Sequence, residues 1–320
     1  MVPLIPARLR PGDEIRIVSP SSSLAHIGGM QANLAAKTRL EKLGFTVTFG
    51  QHIADNDILE SASIASRVAD LYEAFRDSHV KAILTTIGGY TANDLLPYID
   101  WQLIADHPKI FCGYSDITIL CNAIFARTGL VTYYGPSYSS FKMVALQDYQ
   151  TQAFLNAVSA DYPQPLTAST EWSSDAWFLP QPRKLHPNRW GVYHAGQTTG
   201  VSMGGNHATL PLLFGTAYLP SVPDPVLFFE SSEGSAVQDF NRDLAQTLQV
   251  LPHLKALLIG RFPKETGMTE AKMRYILDKF PLLQTIPVIY DLNVGHTQPI
   301  FTVPIGQALT VDTDKLTLTF

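Results

Sequence analysis

Charged side chains are scarce in this chain, and the basic ones do not cluster. Asp, Glu, Lys and Arg make up 16% of its 320 residues, and the formal net charge is -5. A protein that binds a nucleic acid polymer needs clustered Lys and Arg to neutralise phosphates, so that function class is excluded. No run approaches the roughly 18 apolar residues of a membrane helix, and the amino terminus has no apolar segment of the secretory type. We therefore expect no membrane partner and a cytoplasmic location.

Cysteine and the common cofactor motifs are also nearly absent. Cys112 and Cys121 are the only cysteines, and both lie in apolar runs, which predicts buried free thiols rather than a disulfide or a metal site. The nine histidines include no H-E-x-x-H spacing, and neither G-x-G-x-x-G nor the P-loop pattern occurs. The sequence predicts a protein that needs no metal and no cofactor.

The first half of the chain alternates strand and helix patterns. Such alternation predicts an α/β protein with a doubly wound, Rossmann-like parallel sheet that binds its ligands at the carboxyl ends of the strands. The strand patterns cover 13–20, 45–49, 80–87, 109–112 and 131–136, and the helical patterns cover 30–43, 61–76, 93–97 and 117–125.

The stretch 162–188 differs from the rest because it is rich in Pro, Ser and Trp and has no periodicity. Such a composition favours a linker or a substrate loop. It divides the chain into a Rossmann-like N-terminal domain (1–161), the linker or loop (162–188) and a β-rich α/β C-terminal domain (189–320). Within the last, 199–206 predicts a turn that enters a helix ending at Leu213. Apolar strand patterns follow at 225–230, 256–260 and 287–291.

Ser115 occupies the most informative position in the sequence. It lies in Gly113-Tyr114-Ser115-Asp116, between an apolar run and a helical one. A strand that ends in such a turn directs the side chain over the sheet edge and points the first helix amides at a ligand. The serine is either a helix cap or a nucleophile with the Asp116 amide as an oxyanion donor. The turn lacks the second glycine of the G-x-S-x-G elbow, so the residues alone leave both alternatives open.

Two further polar residues also end apolar strand patterns. Glu230 closes one run and His296 follows another, and together with a serine they are the groups that nucleophilic acyl transfer requires. Each could equally be a solvated strand end or a polar loop residue. Gly88 and Gly89 close the third strand pattern, either as a plain turn or as a close approach of backbone amides to a ligand.

Trp172, Trp177 and Trp190 lie in or beside the irregular stretch 162–188. Their rings are either buried between the domains or available for stacking on an aromatic ligand.

Several motifs in a fixed order resemble the LD-carboxypeptidase family of serine peptidases, which includes the microcin C self-immunity peptidases. The resemblance spans essentially the whole chain, and its most specific part is Gly113-Tyr114-Ser115-Asp116-Ile117-Thr118. The other motifs are Pro11-Gly12-Asp13, Gly88-Gly89-Tyr90, Leu95-Leu96-Pro97-Tyr98, Gly204-Gly205-Asn206, Phe228-Phe229-Glu230 and Gly295-His296-Thr297.

This resemblance implies a Ser-Glu-His triad between the two domains. Ser115 corresponds to the nucleophile, His296 to the general base and Glu230 to its orienting carboxylate. The family's oxyanion hole matches the backbone amides of Gly89 and Asp116. The family also implies a homodimer.

The resemblance further implies a set of substrate contacts and two candidate substrates. Removal of the terminal D-Ala from a murein tetrapeptide is the first, and cleavage of a peptidyl or aminoacyl nucleotide amide is the alternative. Glu233 stands where the microcin branch can carry a lysine, and its carboxylate suits an ammonium group, as in a diamino acid of a wall peptide. The implied substrate-binding residues are Gly88, Tyr90, Asn206, Glu233, Trp172, Trp177 and Trp190.

Overall fold

The computed structural model describes residues 2–161, 165–179 and 181–320, and all bounds refer to these residues. The strands are β1 Glu14–Val18, β2 Thr46–Phe49, β3 Val80–Thr85, β4 Ile110–Gly113, β5 Thr132–Tyr134, β6 Glu171–Trp172, β7 His186–Pro187, β8 Gly191–His194, β9 Gln197–Asn206, β10 Pro225–Glu230, β11 Ala256–Gly260, β12 Val288–Leu292, β13 Val303–Ile305, β14 Ala308–Asp312 and β15 Thr317–Thr319. The α-helices are α1 Gly29–Ala32, α2 Leu34–Lys42, α3 Ile64–Arg76, α4 Trp101–Asp106, α5 Thr118–Thr128, α6 Gln147–Val158, α7 Val237–Val250 and α8 Glu270–Leu277.

The first sheet is built almost entirely from the N-terminal half. Its order is β13-β5-β4-β3-β1-β2, and every pair is parallel except β13 with β5. The order 2-1-3-4-5 of the parallel strands is that of a doubly wound sheet, in which ligands bind where the order reverses, beside β1 and β3. The predicted α/β class and Rossmann-like unit are confirmed.

The second sheet comes from the C-terminal half and has mixed strand directions. Its order is β15-β14-β9-β10-β11-β12-β8, with β9 to β12 parallel and the outer strands antiparallel. β10 and β11 are buried along their whole length, as expected for parallel strands covered on both faces. Glu230 therefore ends a strand that lies at the centre of this sheet.

Helix α5 joins the two halves. It is buried from Thr118 to Phe125, and its Asn122 side chain donates to the carbonyl of Gly204 at 2.8 Å. A Cβ on Gly205 would lie 2.4 Å from Oγ1 of Thr118, so the absence of a side chain allows β9 to approach the helix. The carboxyl ends of β4 and β9 therefore both lie at the amino end of α5.

The sequence prediction for 199–206 is wrong. Instead of a turn entering a helix, the segment forms most of β9, and only a short 3-10 helix follows at Leu210–Leu213. The two glycines that indicated a turn, Gly204 and Gly205, have φ of +140° and +139° within the strand. A Cβ on Gly204 would lie 2.0 Å from the carbonyl oxygen of Phe228, so the glycines serve close packing and not a turn.

The described residues of the stretch 162–188 contain little regular structure, with β6 and β7 forming a two-stranded ladder. Positions 162–164 and 180 of the predicted linker lie outside the described residues. Ser173 pairs with Gln298 through two backbone hydrogen bonds of 2.8 and 3.0 Å, which ties the stretch to the segment after His296. One strand of the predicted C-terminal domain, β13, completes the first sheet, so the proposed domain boundaries do not separate the two sheets completely.

None of the helices in the described residues is both long and apolar enough to cross a membrane.

Candidate active site

Ser115 lies just beyond the carboxyl end of β4, in the turn that leads into α5. Its φ is +64°, a left-handed conformation that is uncommon for a residue with a side chain. Its amide donates to the hydroxyl of Tyr134 at 2.9 Å, and its carbonyl accepts from the hydroxyl of Thr118 at 2.6 Å. A strained turn that the surroundings hold in place is typical of a functional serine.

The structure brings Ser115, His296 and Glu230 together in one hydrogen-bonded chain. Nε2 of His296 lies 3.1 Å from Oγ of Ser115, and its Nδ1 lies 2.7 Å from Oε2 of Glu230. The three residues come from the end of β4, the loop after β12 and the end of β10. A Cβ on Gly295 would lie 2.4 Å from Oε2 of Glu230, so the glycine lets the His296 loop pass close to the carboxylate.

The negative charge of Glu230 and the positive charge of a protonated His296 stabilise each other. Burial raises the pKa of Glu230, but the charge of His296 and hydrogen bonds from His296, Tyr134 and Asn206 outweigh it, so the pKa lies below its usual range. Burial lowers the pKa of His296, but the charge and hydrogen bond of Glu230 raise it above the ordinary value. An ionised Glu230 keeps the proton of the neutral imidazole on Nδ1, which leaves Nε2 free to accept a proton from Ser115.

Gly88 and Asp116 border the Ser115 hydroxyl, and Gly89 packs against the loop after β1. A Cβ on Gly88 would lie 3.0 Å from Oγ of Ser115 and 3.2 Å from the amide nitrogen of Asp116. Gly89 has φ of +148°, and a Cβ there would lie 2.3 Å from the hydroxyl of Ser22. The Asp116 amide is in the first helical turn, where an amide has no acceptor within the helix. Gly88 therefore leaves space beside the hydroxyl, and the Asp116 amide lies next to that space.

The side chain of Asp116 has a different partner from its amide. Its carboxylate accepts from the hydroxyl of Ser21 at 2.6 Å and from the amide of Ala92 at 2.9 Å. Burial raises the pKa of Asp116, and these hydrogen bonds oppose the rise. The carboxylate therefore fixes the turn after β4 against the loops after β1 and β3.

Tyr134, at the end of β5, is a site residue that sequence reasoning missed. Its hydroxyl donates to Oε1 of Glu230 at 2.7 Å while accepting from the Ser115 amide. The sequence could have indicated this role, because Tyr134 lies at the end of a predicted strand that neighbours the strand before Ser115. Asn206 is 3% exposed, its Oδ1 accepts from the Ala208 amide, and its side chain also contacts Glu230.

The remaining predicted substrate contacts have different surroundings. Tyr90 is 96% exposed, so its ring is open to a ligand. Glu233 is exposed, and its negative charge adds to the raised pKa of His296.

The three tryptophans are not equivalent. Trp190 is 1% exposed, donates to Oδ1 of Asn293 at 2.9 Å and packs edge-on against Phe301. The prediction that Trp190 stacks on a ligand is therefore wrong, because its ring fills the core. Trp172 is half-buried, with the guanidinium of Arg261 4.3 Å from its ring centre, and it stacks on His186.

Trp177 lines an open, largely apolar cleft of about 670 Å³ next to the candidate site. Phe178 packs edge-on against Trp177, and Nζ of Lys142 lies 5.9 Å from the Trp177 ring centre. Ile87, the residue before Gly88, lines the wall of the same cleft. The cleft thus offers aromatic faces and one cation beside the turn that borders Ser115.

Neither a metal cluster nor a disulfide occurs in the residues that the structure describes. No group of three or more His, Cys, Asp and Glu side chains there is placed to hold a metal ion. Cys112 and Cys121 are buried and free, and burial raises the pKa of both thiols, that of Cys121 to about 12.

Comparison with known proteins assigns the family. The LD-carboxypeptidase N-terminal domain matches residues 15–135, and the LD-carboxypeptidase C-terminal domain matches residues 199–311. YocD of Bacillus subtilis, provisionally named a carboxypeptidase, is 46% identical over 94% of this chain and 93% of its own. The microcin C7 self-immunity protein MccF of Escherichia coli is 29% identical over 98% of this chain and 94% of its own. The murein tetrapeptide carboxypeptidase of Pseudomonas aeruginosa is 24% identical over 94% of each chain.

Solved structures agree with this assignment. An MccF-like protein of Bacillus anthracis superposes with a TM-score of 0.96 at 43% identity, covering 99% of each chain. MccF in complex with aspartyl sulfamoyl adenosine gives a TM-score of 0.90 at 28% identity, covering 99% of this chain and 98% of the other. The chain belongs to the LD-carboxypeptidase family, and it is a serine-type carboxypeptidase of the group that also contains MccF.

Proposed function

We propose that Ser115, His296 and Glu230 form the catalytic triad of an amide hydrolase that works through an acyl-enzyme. The observation that carries the proposal is the continuous hydrogen-bonded chain from Oγ of Ser115 through the imidazole to a buried carboxylate. The roles follow from the chemistry of each group: a hydroxyl to attack, an imidazole to take its proton and a carboxylate to orient the imidazole.

The reaction proceeds in two steps, acylation of Ser115 and hydrolysis of the acyl-enzyme. Oγ of Ser115 attacks the scissile carbonyl carbon while Nε2 of His296 takes the hydroxyl proton, and the resulting oxyanion accepts from the amides of Gly89 and Asp116. His296 then returns the proton to the leaving nitrogen as the C–N bond breaks, which leaves an ester on Ser115. A water molecule hydrolyses this ester by the same steps and regenerates the serine.

The first candidate substrate is a murein tetrapeptide that loses its terminal D-Ala. It is supported by the carboxypeptidase relatives, of which the Pseudomonas aeruginosa protein is named for this substrate. Glu233 adds a second argument, because its exposed negative charge beside His296 suits the ammonium group of a diamino acid.

The second candidate substrate is an aminoacyl or peptidyl nucleotide. The cleft of Trp177, Phe178 and Lys142 favours it, since a nucleobase stacks on aromatic rings and a cation attracts an anionic linker. MccF, whose structure holds aspartyl sulfamoyl adenosine, is the relative that supports this candidate.

Mass spectrometry of the products distinguishes the two candidates. The purified protein is incubated separately with a murein tetrapeptide and with aspartyl sulfamoyl adenosine. Release of D-Ala from the first supports the carboxypeptidase reaction, and release of sulfamoyl adenosine from the second supports the nucleotide reaction.

The control for this experiment is Ser115→Ala. We expect it to abolish turnover of both substrates while the melting temperature stays close to that of the parent protein, because the change removes one hydroxyl. Turnover by Ser115→Ala at more than about one-tenth of the parent rate would contradict the triad, because losing the nucleophile leaves only residual catalysis.

The homodimer implied by the family resemblance and the cytoplasmic location expected from the sequence stay predictions. Light scattering of the purified protein tests the first of them directly.

A further inference from the structure

The side chain of Tyr134 connects the two sheets at the candidate site. Tyr134 is the last residue of β5 and stands opposite Gly113, the last residue of β4. It is fully buried, and its ring packs on Phe228 of β10 with 5.2 Å between the ring centres. One side chain thus spans from the strand beside the nucleophile to the strand that carries Glu230.

The hydroxyl of Tyr134 has a backbone partner on one side and a carboxylate partner on the other, and the Thr118 side chain contacts it as well. The Tyr134 hydroxyl accepts from the amide of Ser115 at 2.9 Å and donates to Oε1 of Glu230 at 2.7 Å. The other carboxylate oxygen, Oε2, is the one that binds His296. Together with the contact between His296 and Ser115, these bonds close a ring through the backbone and side chain of Ser115.

The direction of these bonds is fixed by the proton on Tyr134. Burial and the neighbouring charge of Glu230 raise the pKa of Tyr134 well above its usual range, so the hydroxyl keeps its proton. It therefore donates to Glu230 whenever that carboxylate is ionised. Its lone pair can then accept from the amide of Ser115, the residue whose φ is +64°.

We propose that Tyr134 is a positioning residue. Its hydroxyl holds the Ser115 turn, at the end of a strand of the first sheet, at a fixed distance from the Glu230 carboxylate, at the end of a strand of the second. The inference rests on the proposed triad and adds a residue to it. Tyr134 reaches the reaction only through Ser115 and Glu230. Its removal should therefore lower kcat more than it changes KM.

The hydroxyl should also affect the protonation of His296. Its positive end faces Glu230, so its loss leaves a more strongly negative carboxylate beside the imidazole and favours the imidazolium form. The other titratable groups facing His296 are Glu233 in the loop after β10 and Tyr114, whose ring centre lies 5.4 Å away. Neither of these is bonded to Tyr134, so they stay unchanged in the comparison.

The test is Tyr134→Phe, assayed for kcat, KM and the pH dependence of kcat/KM on whichever substrate is turned over. We expect kcat to fall about 10- to 100-fold, as misplaced catalytic groups do, with KM within a few-fold. We also expect the acidic limb of the profile to move to higher pH.

The matched control is Tyr72→Phe. The hydroxyl of Tyr72 also bridges two groups: it accepts from the amide of Asp100 at 2.6 Å and donates to the carbonyl of Tyr98 at 2.8 Å. Neither partner belongs to the triad. We expect it to lower the melting temperature without changing the pH profile. A Tyr134→Phe protein with parent-like kcat and pH profile would overturn the inference.

A second variant covers the case in which Tyr134→Phe does not fold. Fluorotyrosine at position 134 keeps the ring and the hydroxyl but makes the hydroxyl more acidic, so it donates more strongly to Glu230. We expect the acidic limb to move to lower pH, and an unmoved limb would refute the role. Failure of the triad itself is separate, because it would show as activity in Ser115→Ala.

Discussion

A methyl group at Gly88 should disable the candidate site without unfolding the protein. The Cβ of Gly88→Ala would lie 2.8 Å from Cβ of Ser115 and 3.0 Å from its Oγ. Gly88 is not among the glycines with a left-handed backbone, so alanine meets no backbone strain there. The methyl would also lie 3.2 Å from the amide nitrogen of Asp116, in front of a proposed oxyanion donor.

The size of the effect follows from these distances. Non-bonded carbon atoms prefer a separation of about 3.5–4.0 Å, so the Ser115 side chain has to move by about 0.7 Å or more. A misplacement of about 1 Å costs on the order of 100-fold in rate, which is about 2.7 kcal/mol in the barrier. Loss of an oxyanion donor costs roughly 10²–10³ in kcat, so we expect kcat to fall by at least about 100-fold.

The assay is steady-state turnover of the identified substrate, with the melting temperature measured on the same samples. Gly50→Ala is the control, because its Cβ would lie 2.4 Å from Oδ2 of Asp70, a crowded position just after β2 whose neighbour is not a residue of the triad. We expect that variant to lose melting temperature and to keep its kcat. Turnover by Gly88→Ala within threefold of the parent would refute the assigned geometry around Ser115.

Two further predictions concern the base and the cleft. Because the pKa of His296 is raised by Glu230 and the base must be neutral, kcat/KM should fall as pH drops through a value above the ordinary 6.5. Glu230→Gln should move that limb to lower pH and reduce kcat by about 10²–10⁴, whereas an unmoved limb would contradict the pairing. Trp177→Ala should raise KM for aspartyl sulfamoyl adenosine and not for the tetrapeptide. Equal effects on both would remove the cleft from nucleotide binding.

The residues of the proposed triad could be found from the sequence because each one ends an apolar strand pattern. In parallel sheets such ends gather at one edge, and the family motifs then selected Ser115, Glu230 and His296 among other polar residues. Their distances could not be predicted, because Ser115 comes from one sheet and the other two from a second. How two sheets pack against each other is not encoded in either strand pattern.

Errors arose where a residue type serves packing instead of its usual role. Gly204 and Gly205 indicated a turn, yet they lie within β9 because the neighbouring Phe228 carbonyl and Thr118 side chain leave no room for a Cβ. Trp190 lies beside an irregular segment, yet its ring is buried and its indole N–H donates a hydrogen bond to Asn293. In both cases the deciding neighbour is distant in sequence.

The role of Tyr134 and the place of β13 in the first sheet were missed for related reasons. A tyrosine at the end of a buried strand is usually a core residue, and its two polar partners belong to other strands. The Val303–Ile305 strand contains a proline and pairs at the edge of a sheet formed almost entirely by the other half of the chain. Proline is tolerated at such an edge, but the sequence does not indicate which edge it joins.

Rapid-quench mass spectrometry of the intact protein during turnover, followed by peptide mapping, tests whether an acyl-enzyme forms on Ser115. We expect a transient acyl adduct on the peptide that contains Ser115. The adduct should be absent in Ser115→Ala, and His296→Ala should form neither adduct nor product at an appreciable rate, because His296 also takes the proton of Ser115 during acylation. Turnover without any adduct on Ser115, and with Ser115→Ala still active, would show that Ser115 is not the nucleophile.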